Sequence, residues 1–444
     1  MDELRRVAHR VLMPPFRGTE LPRWLADRLD AGLASVCLFA ANIETADQVR
    51  ALTAAMRAIS PDLLVATDEE GGDVTRLHMR AGSPVPGNAA LGAADDEDLT
   101  ARVAHAIGRE LADVGIDLDL APVVDVNSNP DNPVIGVRSF GADPGLVARH
   151  TRAYVAGLRS AGVGACAKHF PGHGDTSVDS HLDLPTVAAP LDVLLARELV
   201  PFRAAVHAGA VAVMTAHLLL PAVDPSVPAT LSRRVLDILR VELGFRGPIV
   251  TDALDMRGVS AERGIPAAAV LALAAGADLL CLAGDGDEQL VDGVVDAIVD
   301  AVKCGDLSED RLAEAAERTA GASRTVGSWR RADAPGDAEQ VGGEAARRAV
   351  RVSGTIPDVR GALVLRVRTG TNLAVGDAPW GLPQEGAVLD GRPHLDVDPS
   401  AGSVEDLLAQ AAGRPLVVLV RDGHRHPDVV ALLTRLAVRR PDLV

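Results

Sequence analysis

The chain has 444 residues, with 48% hydrophobic and 24% charged content, which is ordinary for a globular protein long enough to form two or three domains. Its 44 basic residues against 61 acidic ones give a net charge of −17, which argues against nonspecific binding to nucleic acid or to an anionic membrane. No apolar run reaches the ~18 residues of a membrane span, and the opening MDELRRVAHRVLMPPF has no apolar signal-peptide core, so a cytoplasmic location is expected.

Eight apolar runs recur along the chain, each followed by a polar turn and a helical pattern. They lie at 11–15, 34–40, 63–67, 116–124, 163–167, 211–215, 248–251 and 277–282. Strands alternating with helices imply parallel pairing through crossover helices. Eight such units predict a (β/α)₈ barrel, a TIM barrel, over residues 1–325. Ser308 is placed to cap its last helix, with Glu309 and Asp310 in the first turn.

Residues 326–343 are rich in Gly, Ala and charge and read as a linker. A connecting helix is expected at about 343–353, so that 326–354 joins the barrel to a second α/β domain at 355–444. Strands are expected there at 362–367 and 415–420, and a helix from Pro427 to about Arg439. The closing PDLV falls where another strand is due, so this sandwich-type domain is expected to be small or truncated.

Four cysteines (Cys37, Cys166, Cys281, Cys304) have neither zinc nor disulfide spacing, and three sit in apolar runs, as buried free thiols do. With three tryptophans and one tyrosine there is little material for a long aromatic sugar cleft. Any saccharide site is expected to be a short pocket.

The segment 168–185, KHFPGHGDTSVDSHLDLP, carries the most chemistry. It follows an apolar run, so it occupies a strand end, where barrel enzymes keep reactive groups. Its glycines and Pro171 suggest a turn able to move over a substrate. Other polar groups follow other runs: Asp68 and Arg76 after the third, Asp125 and Arg138 after the fourth, His217 after the sixth, and Asp252 after the seventh. Charges at buried strand ends are costly unless paired or used, so several on one rim indicate a binding site. Taken alone, Asp252 could equally cap the following helix, and Asp179 and His181 could be solvated loop residues. Pro171 and Gly172 break the helical spacing of His169 and His173, and neither HExxH nor CxxC occurs. No metal and no cofactor are expected.

These segments resemble glycoside hydrolase family 3, and within it the bacterial β-N-acetylglucosaminidase (NagZ-like) subgroup. The resemblance rests on DEEGG at 68–72, APVVDVNSNPDNPVIGVRSFG at 121–141, KHFPGHGDT at 168–176 with DSH at 179–181, MTAHLLLPAVDPSVPATLS at 214–232 and TDALDM at 251–256. It implies a retaining mechanism with Asp252 as nucleophile and a His181/Asp179 dyad as general acid/base. It also implies substrate contacts from Asp68, Arg76, Arg138, Lys168 and His169. His173 then reads as a partner for loop carbonyls, His217 as either a core or a site residue, and Asp255 has no assigned role. Asp73 stands where the family usually has Arg and adds negative charge beside Asp68. The expected activity is exo-cleavage of terminal β-linked N-acetylglucosamine from small cell-wall or chitin-derived glycosides. A phosphorylase on the same fold and a non-catalytic sugar-binding protein are the alternatives. Oligomeric state is not legible.

Overall fold

The computed structural model describes residues 3–178, 184–261, 263–282, 286–329, 337–370, 375–376, 379–381, 394–400 and 403–444. The chain divides into two units, Met1–Ala349 and Val350–Val444.

In the first unit each of the eight apolar runs contains a strand. They are β1 (Leu12–Met13), β2 (Ser35–Leu38), β3 (Leu64–Thr67), β4 (Leu118–Asp119), β5 (Gly164–Phe170), β6 (Ala212–Thr215), β7 (Ile249–Val250) and β8 (Leu280–Cys281). β2 to β7 form one parallel sheet in chain order, and β1 pairs in parallel with β8. Two further contacts join these sheets. The Cys37 amide donates to the Pro14 carbonyl at 3.1 Å, and Val250 bridges in parallel to Leu279. Helices separate the strands, among them Ala46–Ile59, Glu97–Asp113, Pro144–Ser160, Leu199–Ala208, Glu288–Cys304 and Glu309–Gly327. The result is an α/β fold built on a wholly parallel sheet.

Side-chain alternation sorts the core. Met13, Cys37, Ala66, Leu118, Cys166, Met214, Val250 and Cys281, one from each strand, belong to a small apolar cluster. Their neighbours Leu12, Val36, Val65, Ala165, Val213, Ile249 and Leu280 belong instead to a larger cluster shared with the helices. A period of two is what a pleated strand imposes when both of its faces are covered. Cys37, Cys166 and Cys281 are buried thiols, and Cys304 is exposed.

Strand starts are held by buried carboxylates. Asp278 accepts from the Ile249 amide (2.9 Å) and from Arg240 (2.5 Å), Arg311 (2.5 Å) and Arg318 (3.0 Å). Asp117 does the same for the Val65 amide (3.0 Å) and also pairs with Arg57. Ser308 caps its helix as expected, its hydroxyl accepting from the Arg311 amide.

Two expectations are corrected. β5 runs on through Lys168, His169 and Phe170, so these residues are strand and not loop. The connecting helix is Ala338–Ala349, five residues earlier than the expected 343. Asp337 accepts from the Gln340 amide at its start (2.9 Å), and a side chain at Gly342 would meet the Pro84 carbonyl oxygen at 2.0 Å. The glycines there permit close approach and do not break the helix.

The second unit has a three-stranded parallel sheet, with β9 (Leu363–Val367) between β10 (His394–Val397) and β11 (Leu416–Leu419). Helices Val404–Ala411 and Pro427–Arg439 contribute Leu407, Leu432 and Leu436 to one core with Leu363, Leu365 and Leu416. After the second helix, Val444 exchanges backbone hydrogen bonds with β11, to Leu416 (3.1 Å) and from Val418 (2.7 Å). β10 and the helix Val404–Ala411 were not anticipated.

No helix among the described residues is long and apolar enough to cross a membrane.

Candidate active site

The C-terminal ends of β3, β4, β5 and β7 carry the predicted residues. β3 ends at Thr67, and Asp68 and Glu70 follow it at the same two-residue spacing as Leu64 and Ala66 of the small apolar cluster. Lys168 continues the inward row of Cys166 on β5. These rows meet. Lys168 Nζ lies 2.6 Å from Asp68 Oδ1 and 2.7 Å from Glu70 Oε1. Arg138, from the loop after β4, grips both oxygens of Glu70, with Nε at 2.9 Å and Nη2 at 2.8 Å. Arg76 Nη2 approaches Asp68 Oδ2 at 3.5 Å.

Exposure shows which part of this network faces outward. The side chains of Glu70 and Lys168 are 3% exposed and that of Arg138 is 6%, whereas Asp68 and Arg76 keep 16% and 11%. Glu70, Lys168 and Arg138 therefore form a buried frame, with Asp68 and Arg76 at its open edge. Burial works against charge on Asp68, Glu70, Lys168 and Arg138, but mutual attraction wins. Lys168 and Arg76 hold the Asp68 carboxyl below its usual range, and Arg138 and Lys168 do the same for Glu70. Asp68 and Glu70 in turn push Lys168 up. Asp68, Glu70, Lys168 and Arg138 are charged at neutral pH.

A second cluster lies beside it. Asp125 accepts from His169 Nδ1 (2.8 Å) and from the amides of His169 (3.2 Å) and His173 (2.7 Å). With one nitrogen committed to Asp125, the His169 ring is fixed in orientation. Burial, only partly offset by Asp125, pushes His173 down to about 4, so this imidazole is neutral. Its Nδ1 meets Thr176 Oγ1 at 2.8 Å.

Glycine at 172 and 174 serves contact. A side chain at Gly174 would meet the Val126 carbonyl oxygen at 1.8 Å, and Gly172 has φ +126° with the Glu198 carboxyl beneath it. Residues 171–174 are buried.

Asp252 follows β7, with Thr251 fixing the strand end by accepting from the Cys281 amide (3.0 Å). Asp252 Oδ1 accepts from the Ala253 amide (2.8 Å), and the next helix, Arg257–Ser260, is preceded by Met256. Asp252 therefore does not cap that helix. Its charge acts on buried Cys166 and Cys281, as does that of Asp68, which places both carboxylates around one interior. His217 is a buried support: Nε2 pairs with the Ala253 carbonyl (2.9 Å) and Nδ1 with Thr230 (2.8 Å). Asp255 is exposed.

Asp73 lines a cavity of about 250 Å³ that is also lined by Glu70, Asn88, Val137 and Arg138. The extra negative charge thus shares this cavity with the Arg138–Glu70 pair. Asp179 and His181 lie outside the described residues. Among the described residues no group of His, Cys, Asp and Glu is arranged to hold a metal ion.

Sequence reasoning placed Asp68, Arg76, Arg138, Lys168, His169 and Asp252 on this rim, and the structure brings the first four into one network. It missed Glu70, whose signal was its period-two spacing from Asp68. It also missed Asp125 as the anchor of His169, and Glu198.

Residues 18–321 match the family model for the glycosyl hydrolase family 3 N-terminal domain. Over 331 residues the chain is 36% identical to β-hexosaminidase A of Pseudoalteromonas piscicida, covering 68% of this chain but only 55% of that relative. It is 43% identical over 277 residues to a β-hexosaminidase of Xanthomonas campestris pv. campestris (strain B100), covering 61% of this chain and 83% of that one. A solved family 3 β-N-acetylglucosaminidase from Paenibacillus sp. str. FPU-7 superposes with a TM-score of 0.87 at 33% identity, covering 99% of this chain and 89% of that chain.

Proposed function

The chain belongs to glycoside hydrolase family 3, and from that premise we propose that it is a retaining exo-β-N-acetylglucosaminidase. The observation that carries this reading is the convergence of Asp68, Lys168, Glu70 and Arg138 into one charged frame on the rim that also holds Asp252. A rigid, fully ionised frame with one open carboxylate edge suits a polyhydroxylated ring. Asp68 accepts hydrogen bonds from two sugar hydroxyls, Arg76 and Lys168 donate around it, and His169 presents its Nε2 to the ring. Arg138 holds Glu70 and contributes donors from behind. The hexosaminidases and the β-N-acetylglucosaminidase that this chain resembles support the choice of sugar.

In this mechanism the ionised Asp252 attacks the anomeric carbon while His181 gives its proton to the departing glycosidic oxygen. A glycosyl ester on Asp252 results. His181, now neutral, takes a proton from water as that water attacks the same carbon, releasing the sugar with retained configuration and restoring Asp252. Asp179 orients the His181 ring and stabilises its charged form. Water is the acceptor.

We read the first unit as a closed (β/α)₈ barrel, supported by the β1–β8 pairing and by the contacts at Cys37 and Val250. The catalytic domain is 1–325, followed by a connecting segment at 326–354 and a second α/β domain. Substrates are small cell-wall or chitin-derived glycosides.

Product analysis on a chromogenic β-N-acetylglucosaminide tests this reading. Release of free N-acetylglucosamine as the β-anomer first is expected, with or without phosphate. An α-anomer as first product, a sugar phosphate in place of free sugar, or no turnover contradicts it.

A further inference from the structure

The turn after β5 is seated on a buried carboxyl group that no step above uses. Glu198 precedes the helix Leu199–Ala208, which is pinned to the end of β5 by Phe202 edge-on to Phe170 (5.2 Å between rings). The Glu198 side chain is 0% exposed. Its Oε1 accepts from Arg197 Nε at 2.6 Å, and its Oε2 accepts no hydrogen bond among the described residues. A side chain at Gly172 would lie 2.7 Å from Oε2 and 2.8 Å from Glu198 Cβ, so only glycine lets the turn rest on this carboxyl.

The contacts run from there into the site. The Gly172 amide donates to the His169 carbonyl (2.8 Å), and the His173 amide donates to Asp125 Oδ1 (2.7 Å). The other oxygen of Asp125 holds His169 Nδ1 (2.8 Å). On the far side, Arg197 Nη2 reaches Asp175 Oδ2 (2.6 Å). Glu198 thus touches both ends of the turn, directly at Gly172 and through Arg197 at Asp175.

We infer that Glu198 is a positioning residue whose ionisation, acting through Gly172 and the Arg197–Asp175 pair, sets how the turn 171–175 holds His169 and His173. The inference rests on the proposed role of His169 in holding the sugar.

A buried carboxylate with an unpaired oxygen is costly, and a protonated one much less so. Burial, opposed by Arg197 and reinforced by Asp125 and Asp175, pushes Glu198 up to about 7. The charged groups facing it are Arg197 from its own segment, Asp175 from the β5 turn and Asp125 from the end of β4, with His169 and His173 bonded to Asp125. When Glu198 ionises, one guanidinium is shared between two carboxylates with a third nearby. When Glu198 is protonated, Arg197 serves Asp175 alone. The balance changes within the neutral range.

The test is histidine-labelled NMR of the full chain between pH 6 and 8. His173 is held neutral there, its own titration lying near 4, so its ring resonances report a neighbour. An inflection near pH 7 is expected in the wild type and its loss in Glu198→Gln, with one neutral ionisation lost from the pH profile of kcat/KM. A His173 signal flat across this range in the wild type overturns the inference, and that observation needs no variant. So does an inflection that survives in Glu198→Gln, which would belong to another group. An inflection in a chain that cleaves no glycoside supports the coupling and counts against the glycosidase reading.

Discussion

Arg138 meets Glu70 through two parallel hydrogen bonds, Nε at 2.9 Å and Nη2 at 2.8 Å, and both side chains are buried. Glu70 also receives Lys168 at 2.7 Å, so a single carboxylate bridges two buried cations, with Asp68 supplying the second negative charge at Lys168. Breaking a buried pair by removing one partner typically costs about 3–5 kcal/mol, because the other charge stays buried and unpaired. Glu70→Gln is expected to lower the melting temperature and to reduce kcat/KM by at least about tenfold, as Lys168 and Arg138 lose their shared anchor. Thermal denaturation together with steady-state kinetics checks this. A variant of wild-type stability and activity would mean that the frame is dispensable.

Asp252→Asn should leave the fold intact, since the amide is isosteric and can still accept from the Ala253 amide. Loss of the nucleophile is expected to cost at least about 10³-fold in kcat, or ~4 kcal/mol of barrier. Circular dichroism with single-turnover assays separates the two effects. Residual activity within tenfold of wild type contradicts the assignment.

At the opposite ends of the strands charge serves stability. Asp278 is fully buried and accepts from three arginines and the Ile249 amide. Asp278→Asn is expected to destabilise the first unit by about 3–5 kcal/mol, with KM unchanged in the fraction that remains folded. Denaturant unfolding measures the loss, and an unchanged midpoint would show that the arginines find other partners.

Glu198 gives stability a particular pH dependence. Its folded-state value of about 7 lies above its ordinary 4.5, so between these limits the folded protein holds a proton that the unfolded chain has lost. Stability from this group is therefore complete below about pH 4.5 and is lost as pH rises through 7, by up to about 3 kcal/mol. Glu198→Gln should abolish that decline and be the more stable protein at pH 8. Urea midpoints measured from pH 5 to pH 8 test the sign. A wild type that gains on the variant as pH rises has the opposite linkage.

Much of this was legible because strand and helix alternation leaves an unambiguous mark. Runs such as 34–40 and 211–215 are apolar on both faces, as strands covered on both faces must be. Polar residues at their ends, Asp68, Lys168 and Asp252, then had to be paired or used. What the sequence hid was pairing at a distance. DEEGG contains three carboxylates, and only the folded contacts distinguish Asp68 and Glu70, which meet Lys168, from Glu69, which accepts from the backbone amides of Arg76 and Leu77. Glu198 lies in ARELVPF, which reads as an ordinary helix start, and its meaning depends on Gly172, 26 positions earlier in the chain. β10 escaped notice because His394 and Asp396 are exposed and no apolar run marks it. The helix Ala338–Ala349 was displaced in the reading because Gly342 and Gly343 look like breakers until Pro84 is seen beside them.

The central claim is a covalent intermediate on Asp252 formed with help from His181. His181→Ala retains the nucleophile but lacks the base for the second step, so an activated nitrophenyl β-N-acetylglucosaminide should glycosylate it faster than water releases the sugar. Acid quench followed by peptide mass spectrometry is the direct measurement. The account predicts one N-acetylglucosaminyl group on the peptide containing Asp252, accumulating in a burst equal to the enzyme present. An unmodified Asp252 peptide in a variant that has demonstrably released nitrophenol, or the sugar found on another residue, would contradict it.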